Sequence, residues 1–248
     1  MPYCLVTGGG SGIGRLSAIA LARAKWTVAI VGRREGQLEQ VAEECRTVGG
    51  DAYPCAGDIS DPIRCAEIFS AIFERFGRLD MLFNNAGVAT LGAALEDVTL
   101  SDWNASLAVN LTGAFLCTQH AIRIMKRQNP KGGRIINNGS LSAHVPRPLA
   151  APYTVTKHGI SGLTRAIALE GRLHDIACTQ IDIGNAATDM TAGFDAGMLQ
   201  ADGSIATEPR IDARHIGDLV VHIAGLPLAV SVPNATIMAT KMPYIGRG

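Results

Sequence analysis

The amino-acid sequence predicts an α/β fold, a doubly wound parallel sheet flanked by helices in a single domain. Three observations carry that expectation. Short apolar runs alternate with helical periodicities from one end of the chain to the other, as repeated strand–helix–strand units do. A glycine-rich turn, Thr7-Gly8-Gly9-Gly10-Ser11-Gly12-Ile13-Gly14, joins the first apolar run to the first helix. No Ser- or Pro-rich linker, repeat or low-complexity tract divides the 248 residues.

Composition narrows the class. Apolar residues make up 47% and charged residues 18%, which is globular rather than disordered. Twenty-two basic residues balance 22 acidic ones, so no basic surplus is available for nucleic acid or an anionic membrane. No apolar run is long enough to span a bilayer. Met1-Pro2 leads straight into Tyr3-Cys4-Leu5-Val6 without a basic segment or cleavage pattern, and a cytoplasmic protein is expected. Cys4, Cys45, Cys55, Cys65, Cys117 and Cys178 form no C-x-x-C pair, and no histidine stands at metal-ligand spacing from them. They are expected as reduced thiols packed like small apolar residues, with no metal site.

The elements follow in order. Residues 3–7 read as a strand, and beyond the turn Leu16, Ile19, Ala20 and Ala24 recur at helical spacing. Glycines let the backbone turn tightly and approach a ligand, and the helix N-terminus offers N–H groups to a pyrophosphate. The spacing is G-x-x-x-G-x-G rather than G-x-G-x-x-G; a plain tight turn is the alternative, and the flanking strand and helix count against it. A second strand, 27–31, ends at Gly32-Arg33-Arg34. In dinucleotide folds an acidic residue at that strand end binds the ribose 2′-hydroxyl of NAD. Here glycine and two arginines stand there instead, which favours a 2′-phosphate and NADP, with NAD as the second choice. The bland reading makes Arg33 and Arg34 solvated cations.

Residues 37–48 read as an exposed helix and 51–55 as a strand ending at Gly57-Asp58-Ile59. Asp58 is suited to accept from an adenine amino group; otherwise Asp58 or Ser60 caps the helix expected over 62–76. A buried strand over 79–83 stops at Asn84-Asn85-Ala86-Gly87, small and amide residues where this architecture binds ligands. One long helix is expected from Ser101 past Met125, with Asn110 inside it. A mid-helix asparagine is mildly unfavourable, which argues for a polar task. Residues 134–138 form the next strand.

The stretch from Asn137 to Lys157 carries the chemistry. Tyr153 and Lys157 are i and i+4, so a helix starting at Tyr153 puts both on one face. An ammonium beside a phenol favours the phenolate and lowers its pKa from about 10, giving a proton donor or acceptor usable near neutral pH. Ser140 is placed to reach the same spot as a hydrogen-bond donor. His144 and Arg147, in the loop between, are expected as loop cations facing water; an Arg147 in the pocket would instead suit an anionic substrate. The helix is expected to run over 153–173, followed by a strand over 176–183 ending at Gly184-Asn185. Between 186 and 211 the pattern weakens, and the segment reads either as a mobile substrate lid or as a surface excursion. A helix over 213–226 and a strand over 235–239 close the fold.

With these residues in view, the sequence resembles the short-chain dehydrogenase/reductase family in its compact single-domain branch, a Rossmann-like fold. The motifs are Thr7-Gly8-x-x-x-Gly12-x-Gly14, Asn84-Asn85-Ala86-Gly87, Asn110 within Val109-Asn110-Leu111-Thr112-Gly113, Ser140, and Tyr153-x-x-x-Lys157. The likeness covers essentially the whole chain. It implies an NADP(H)-dependent oxidoreductase acting on a carbonyl or secondary alcohol. Tyr153 would be general acid/base and Ser140 would hold the substrate oxygen. Lys157 would bind the nicotinamide ribose and tune Tyr153, and Asn110 would anchor a water. The cofactor would be lined by Gly8, Ser11, Gly12, Ile13, Gly14, Arg33, Asp58, Ile59, Asn84, Ala86, Gly87, Tyr153, Lys157, Gly184, Ala186 and Thr188. A homo-oligomer, commonly a tetramer, is also implied, with the tail ending in Ile245-Gly246-Arg247-Gly248 docking on a neighbour. A non-catalytic redox sensor on the same fold is the competing function, and the intact Asn110, Ser140, Tyr153 and Lys157 set speaks against it.

Three departures from the family pattern stand out. The sixth strand ends in Ile183-Gly184 where the family usually shows Pro-Gly, which leaves the contacts of Asn185, Ala186 and Thr188 less constrained. Asn-Gly-Ser replaces the common Ile-Ser-Ser, so Gly139 is expected to loosen Ser140, with Ser142 as the substitute. The lid is Gly- and Ala-rich and names no substrate.

Overall fold

Period-two alternation of apolar side chains, both sets buried, builds the centre of this protein. The computed structural model describes residues 1–245. The strands are β1 (Tyr3–Thr7), β2 (Thr27–Gly32), β3 (Asp51–Ala56), β4 (Met81–Asn84), β5 (Gly133–Asn138), β6 (Ile176–Ile183), the two-residue strands β7 (Ala186–Ala187), β8 (Met198–Leu199), β9 (Ile205–Ala206) and β10 (Ile211–Asp212), and finally β11 (Asn234–Ile237). The helices are α1 (Gly12–Arg23), α2 (Glu35–Thr47), α3 (Pro62–Phe76), α4 (Leu100–Leu107), α5 (Ala114–Arg127), α6 (Ala151–Gly171) and α7 (Arg214–Ala224).

Seven strands form one parallel sheet in the order β11-β6-β5-β4-β1-β2-β3. Cys4, Val6, Val28, Ile30, Met81 and Phe83 face α1, α2 and α7, while Leu5, Ala29, Val31, Leu82 and Ile135 face α3, α5 and α6. Burial on both faces is what a parallel sheet under two helical layers requires. Each such Leu, Ile, Val or Phe contributes about 1.5–3 kcal/mol on leaving water. Strand order reverses between β1 and β4, and ligands of open α/β sheets bind at the carboxyl ends beside such a reversal.

Several boundaries differ from the sequence expectation, each for a local reason. The long helix expected from Ser101 is three pieces: α4, a π-helical turn over Ala108–Gly113, and α5. β4 starts at Met81 instead of residue 79 because the Gln128 side chain claims Leu79, accepting from its N at 2.8 Å and donating to its O at 3.2 Å. Asp61, not Asp58 or Ser60, caps α3; its carboxylate accepts from Ile63 N and Arg64 N, with Pro62 in the first turn. α6 begins two residues before Tyr153, and the closing strand lies at Asn234–Ile237. The segment after β6 is folded: β7 pairs with β10, a 3-10 helix spans Asp189–Ala196, and β8 and β9 form a small antiparallel pair. Two-residue strands are too short to show a period in sequence.

The six cysteines are free thiols, five of them buried. Burial pushes Cys178 up to about 12. Among the described residues no cluster suits a metal ion, and no helix is long and apolar enough to cross a membrane. In the tail, Met242 is buried and Ile245 exposed; residues 246–248, part of the expected docking tail, lie outside the described residues.

Candidate active site

A cleft of about 290 Å³ opens at the carboxyl ends of the central strands. The glycine turn forms its floor. Gly8 adopts φ +64, where an added Cβ would also lie 2.8 Å from the Ala86 Cα. At Gly14 a Cβ would lie 2.2 Å from the Gly8 carbonyl oxygen, so the turn closes onto α1 only without a side chain. Ser11 caps α1 in extended conformation, and its hydroxyl makes no capping hydrogen bond. The first N–H groups of α1 therefore stay available to an anion in the cleft.

One wall carries charge. Gly32, Arg33 and Arg34 leave β2 beside Asp58. Burial works to raise the Asp58 carboxyl, but the Ser60 hydroxyl and N–H, with Arg33 nearby, outweigh it and hold the group below its ordinary value. Its Oδ1 accepts from Ser60 N at 2.9 Å and Ser60 Oγ at 2.7 Å.

The opposite wall comes from α6. Tyr153 and Lys157 both line the cleft. The Lys157 Nζ donates to the Asn138 carbonyl at 2.7 Å and stands 5.5 Å from the centre of the Tyr153 ring. The support beneath is a relay of amides across strand ends. Asn138 Nδ2 donates to Asn85 Oδ1 at 2.9 Å, and Asn85 Nδ2 to Thr7 O at 2.9 Å. The Thr7 hydroxyl accepts from the N–H groups of Asn85 and Ala86. A cation, three strands and the glycine turn are thus locked in one frame.

Of the residues singled out in the sequence, Gly8, Ser11, Gly12, Ile13, Arg33, Asp58, Ile59, Ala86, Gly87, Tyr153, Lys157, Gly184, Ala186 and Thr188 line the cleft. Gly14, Asn84, Asn110 and Ser140 stand behind the lining. Asn84 is turned inward, donating to Thr118 Oγ1 and Asn137 Oδ1, and its neighbour Asn85 takes the lining position. Asn110 is buried in the π-helical turn. Its Oδ1 accepts from Val88 N at 2.7 Å, and its Nδ2 donates to Val88 O at 2.9 Å and Thr156 Oγ1 at 3.2 Å. Ser140 follows the lining residue Gly139, and its Oγ accepts from Ser142 N at 3.1 Å. With that acceptor position taken, the Ser140 hydroxyl keeps its proton for another acceptor. Ser142 is itself buried.

Arg147 and His144 do not simply face water. Arg147 Nη2 donates to Glu208 Oε2 at 2.6 Å and to Asn185 Oδ1 at 3.3 Å, with the Glu208 side chain 1% exposed. His144 Nε2 lies 2.7 Å from Oδ2 of the wholly buried Asp182. Gly139 is not loose either, being closely packed against Asp182 and Gln180. After the sixth strand, Gly184 N donates to Ile237 O at 2.9 Å, which ties the start of this turn to β11. Sequence reasoning saw Asn85 only as part of the Asn84-Asn85-Ala86-Gly87 motif and missed Asn138 and Asp182 as working parts. Of these two, Asp182 left a signal, a carboxylate between Ile181 and Ile183 in a largely apolar strand.

The family model described as short chain dehydrogenase matches residues 3–198. A 3beta-hydroxysteroid dehydrogenase of Mediterraneibacter gnavus is 33% identical over 204 residues, 82% of this chain and 73% of that protein. Among solved structures, a 3-ketoacyl-ACP reductase from Sinorhizobium meliloti superposes with a TM-score of 0.85 at 27% identity, covering 95% of this chain and 97% of the other. A variant of actinorhodin polyketide ketoreductase, solved with NADPH, gives a TM-score of 0.86 at 26% identity, covering 96% and 95%.

Proposed function

Because the chain belongs to the short-chain dehydrogenase family, we propose that it is an NADP(H)-dependent oxidoreductase interconverting a carbonyl group and a secondary alcohol. One observation carries this reading: Tyr153 and Lys157 line the same cleft as the glycine turn, with Lys157 pinned to the Asn138 carbonyl. The cleft suits a dinucleotide. Its floor has no room for side chains at Gly8 and Gly14, and the start of α1, where the Ser11 side chain makes no capping bond, offers N–H groups to a pyrophosphate. Arg33 and Arg34 suit a ribose 2′-phosphate, and no acidic side chain follows β2 directly to hold a 2′-hydroxyl. When bound, the nicotinamide supplies or accepts the hydride.

The protein's own groups handle position and the proton. The Tyr153 phenol gives a proton to the carbonyl oxygen in reduction and takes it back in oxidation. The Lys157 ammonium, 5.5 Å from the centre of the Tyr153 ring and lining the same cleft, is the group to bind the nicotinamide ribose hydroxyls. Ser140, just behind the lining residue Gly139, donates a hydrogen bond from its hydroxyl to the substrate oxygen, and Asn110, its side chain fixed by Val88 and Thr156, anchors a water. Residues 186–211 form the lid over the substrate. Glu208 neutralises Arg147, which favours a neutral substrate.

We further read the chain as a cytoplasmic homo-oligomer, supported by the exposed Phe115, Val155 and Leu169 on α5 and α6; light scattering showing a monomer would contradict it. The direct test of the reaction is a spectrophotometric screen of aldehydes, ketones, 3-oxoacyl thioesters and secondary alcohols with NADPH, NADH and their oxidised forms. Turnover of a neutral ketone or alcohol, faster with the phosphorylated cofactor, is expected. No turnover of any of them would favour a non-catalytic cofactor-binding protein.

A further inference from the structure

Asp182 is a charged side chain inside an apolar strand, and it is wholly buried. An unpaired carboxylate there would cost several kcal/mol. Four donors meet it instead. Ser140 N reaches Oδ1 at 3.0 Å and Gln180 Nε2 reaches Oδ1 at 2.7 Å. His144 Nε2 reaches Oδ2 at 2.7 Å and Asn234 Nδ2 reaches Oδ2 at 2.6 Å. With the carboxylate as acceptor, His144 Nε2 is the donor of its pair. Gln180 and Asn234 belong to the sheet, whereas Ser140 and His144 belong to the loop that follows β5. The carboxylate therefore ties that loop to the sheet at two points, one of them the backbone of Ser140 itself.

Gly139 belongs to the same arrangement. A Cβ at Gly139 would lie 2.1 Å from Asp182 Oδ1 and 2.8 Å from Gln180 Cγ. Any side chain at 139 would displace the carboxylate or turn the 139–140 peptide. Turning that peptide moves the Ser140 hydroxyl, and a shift of about 1 Å at a reacting centre can cost roughly 100-fold in rate.

We propose that Asp182 is a positioning residue that sets the Ser140 hydroxyl toward the substrate oxygen, that Gly139 and Asp182 are a matched pair, and that His144 is the loop's second anchor. The kinetic part rests on Ser140 acting on substrate as argued above; the pairing of Gly139 with Asp182 does not.

The test has two independent arms. Thermal melts of the native protein, Gly139→Ala, Asp182→Ala and the double variant form a cycle. Gly139→Ala is expected to lower Tm in the native background and to cost clearly less beside Asp182→Ala, where only the Gln180 side chain still crowds the new Cβ. Equal losses in both backgrounds would overturn the pairing. In the kinetic arm, Asp182→Leu is expected to lower kcat at least about tenfold while the Kd for NADPH stays within about twofold. Asp182→Asn, which keeps an acceptor for Ser140 N, recovers most of the loss. Unchanged kcat, or a parallel loss of cofactor binding, would overturn the positioning role. Should Asp182→Leu not fold, the half-exposed His144→Ala carries this arm, with a kcat loss of about threefold or more at unchanged Kd expected and no loss overturning it. A native protein without activity on any carbonyl would remove the catalytic reading of Ser140, and with it the kinetic arm, while the melting cycle still decides the pairing.

Discussion

At Tyr153 the chemistry reduces to one hydroxyl. Tyr153→Phe removes the proton donor and leaves the ring against Lys157, so stopped-flow assays should show kcat falling about 10²–10⁴-fold. NADPH affinity, followed by fluorescence titration, should stay close to native; a kcat within a few-fold of native would assign the proton to another group. Arg33 makes a separate prediction about the far end of the cleft. Arg33→Ala should weaken NADPH about 10- to 100-fold, the worth of a charge-assisted hydrogen bond or two, and NADH far less. Equal losses would show that no 2′-phosphate is held there. Tyr153, Lys157 and the arginines were legible in the sequence because helix spacing and strand ends place them by local rules. Asn85 and Asn138 were not, since they act by joining the ends of strands distant in sequence. Arg147 was misplaced in water for the same reason: its partner lies 61 positions away.

Among the elements, the segment after β6 differs most from its sequence pattern. Its hold on the loop after β5 runs through Arg147, which reaches Glu208, Asn185 and the Met198 sulfur at the foot of the β8–β9 pair. Glu208 also accepts from Asn185 Nδ2 at 2.8 Å and Gln200 Nε2 at 3.2 Å. Removing one partner of a buried ion pair leaves the other charge uncompensated, at about 3 kcal/mol or more. Glu208→Ala should therefore lower Tm by roughly 6–12 °C for a chain of this size. It should also hasten tryptic cleavage within the segment, and an unchanged Tm with native proteolysis would mean that the pair holds nothing. The π-helical turn at Asn110 was illegible for another reason. Its sequence is compatible with a regular helix, and what diverts it is the Val88 backbone claiming the Asn110 side chain. The strands and α-helices of the sheet were legible because both faces are buried and the apolar periods run uninterrupted.

Across the whole molecule, stability and chemistry occupy opposite ends of the sheet. The cleft sits where the strands end, while Arg134 lies where β5 begins, almost completely buried. Its Nη2 donates to the carbonyls of Leu226, Pro227 and Val230 at 3.1–3.2 Å, binding the connection from α7 to β11. Burial draws the guanidinium's pKa down from its ordinary value, and the backbone oxygens are what hold its Nη2 against the cost of losing water. Arg134→Met keeps most of the volume but strands those carbonyls, and should cost about 2–3 kcal/mol, a Tm lower by roughly 4–12 °C. Because β11 supplies Asn234 to Asp182, the same change tests how rigidly the edge of the sheet is coupled to the loop of Ser140. If the fold insulates its two ends, kcat measured well below the melting temperature stays native while Tm falls. If kcat falls with it, the edge strand transmits its position through Asp182, and the sheet acts as one lever under the active site.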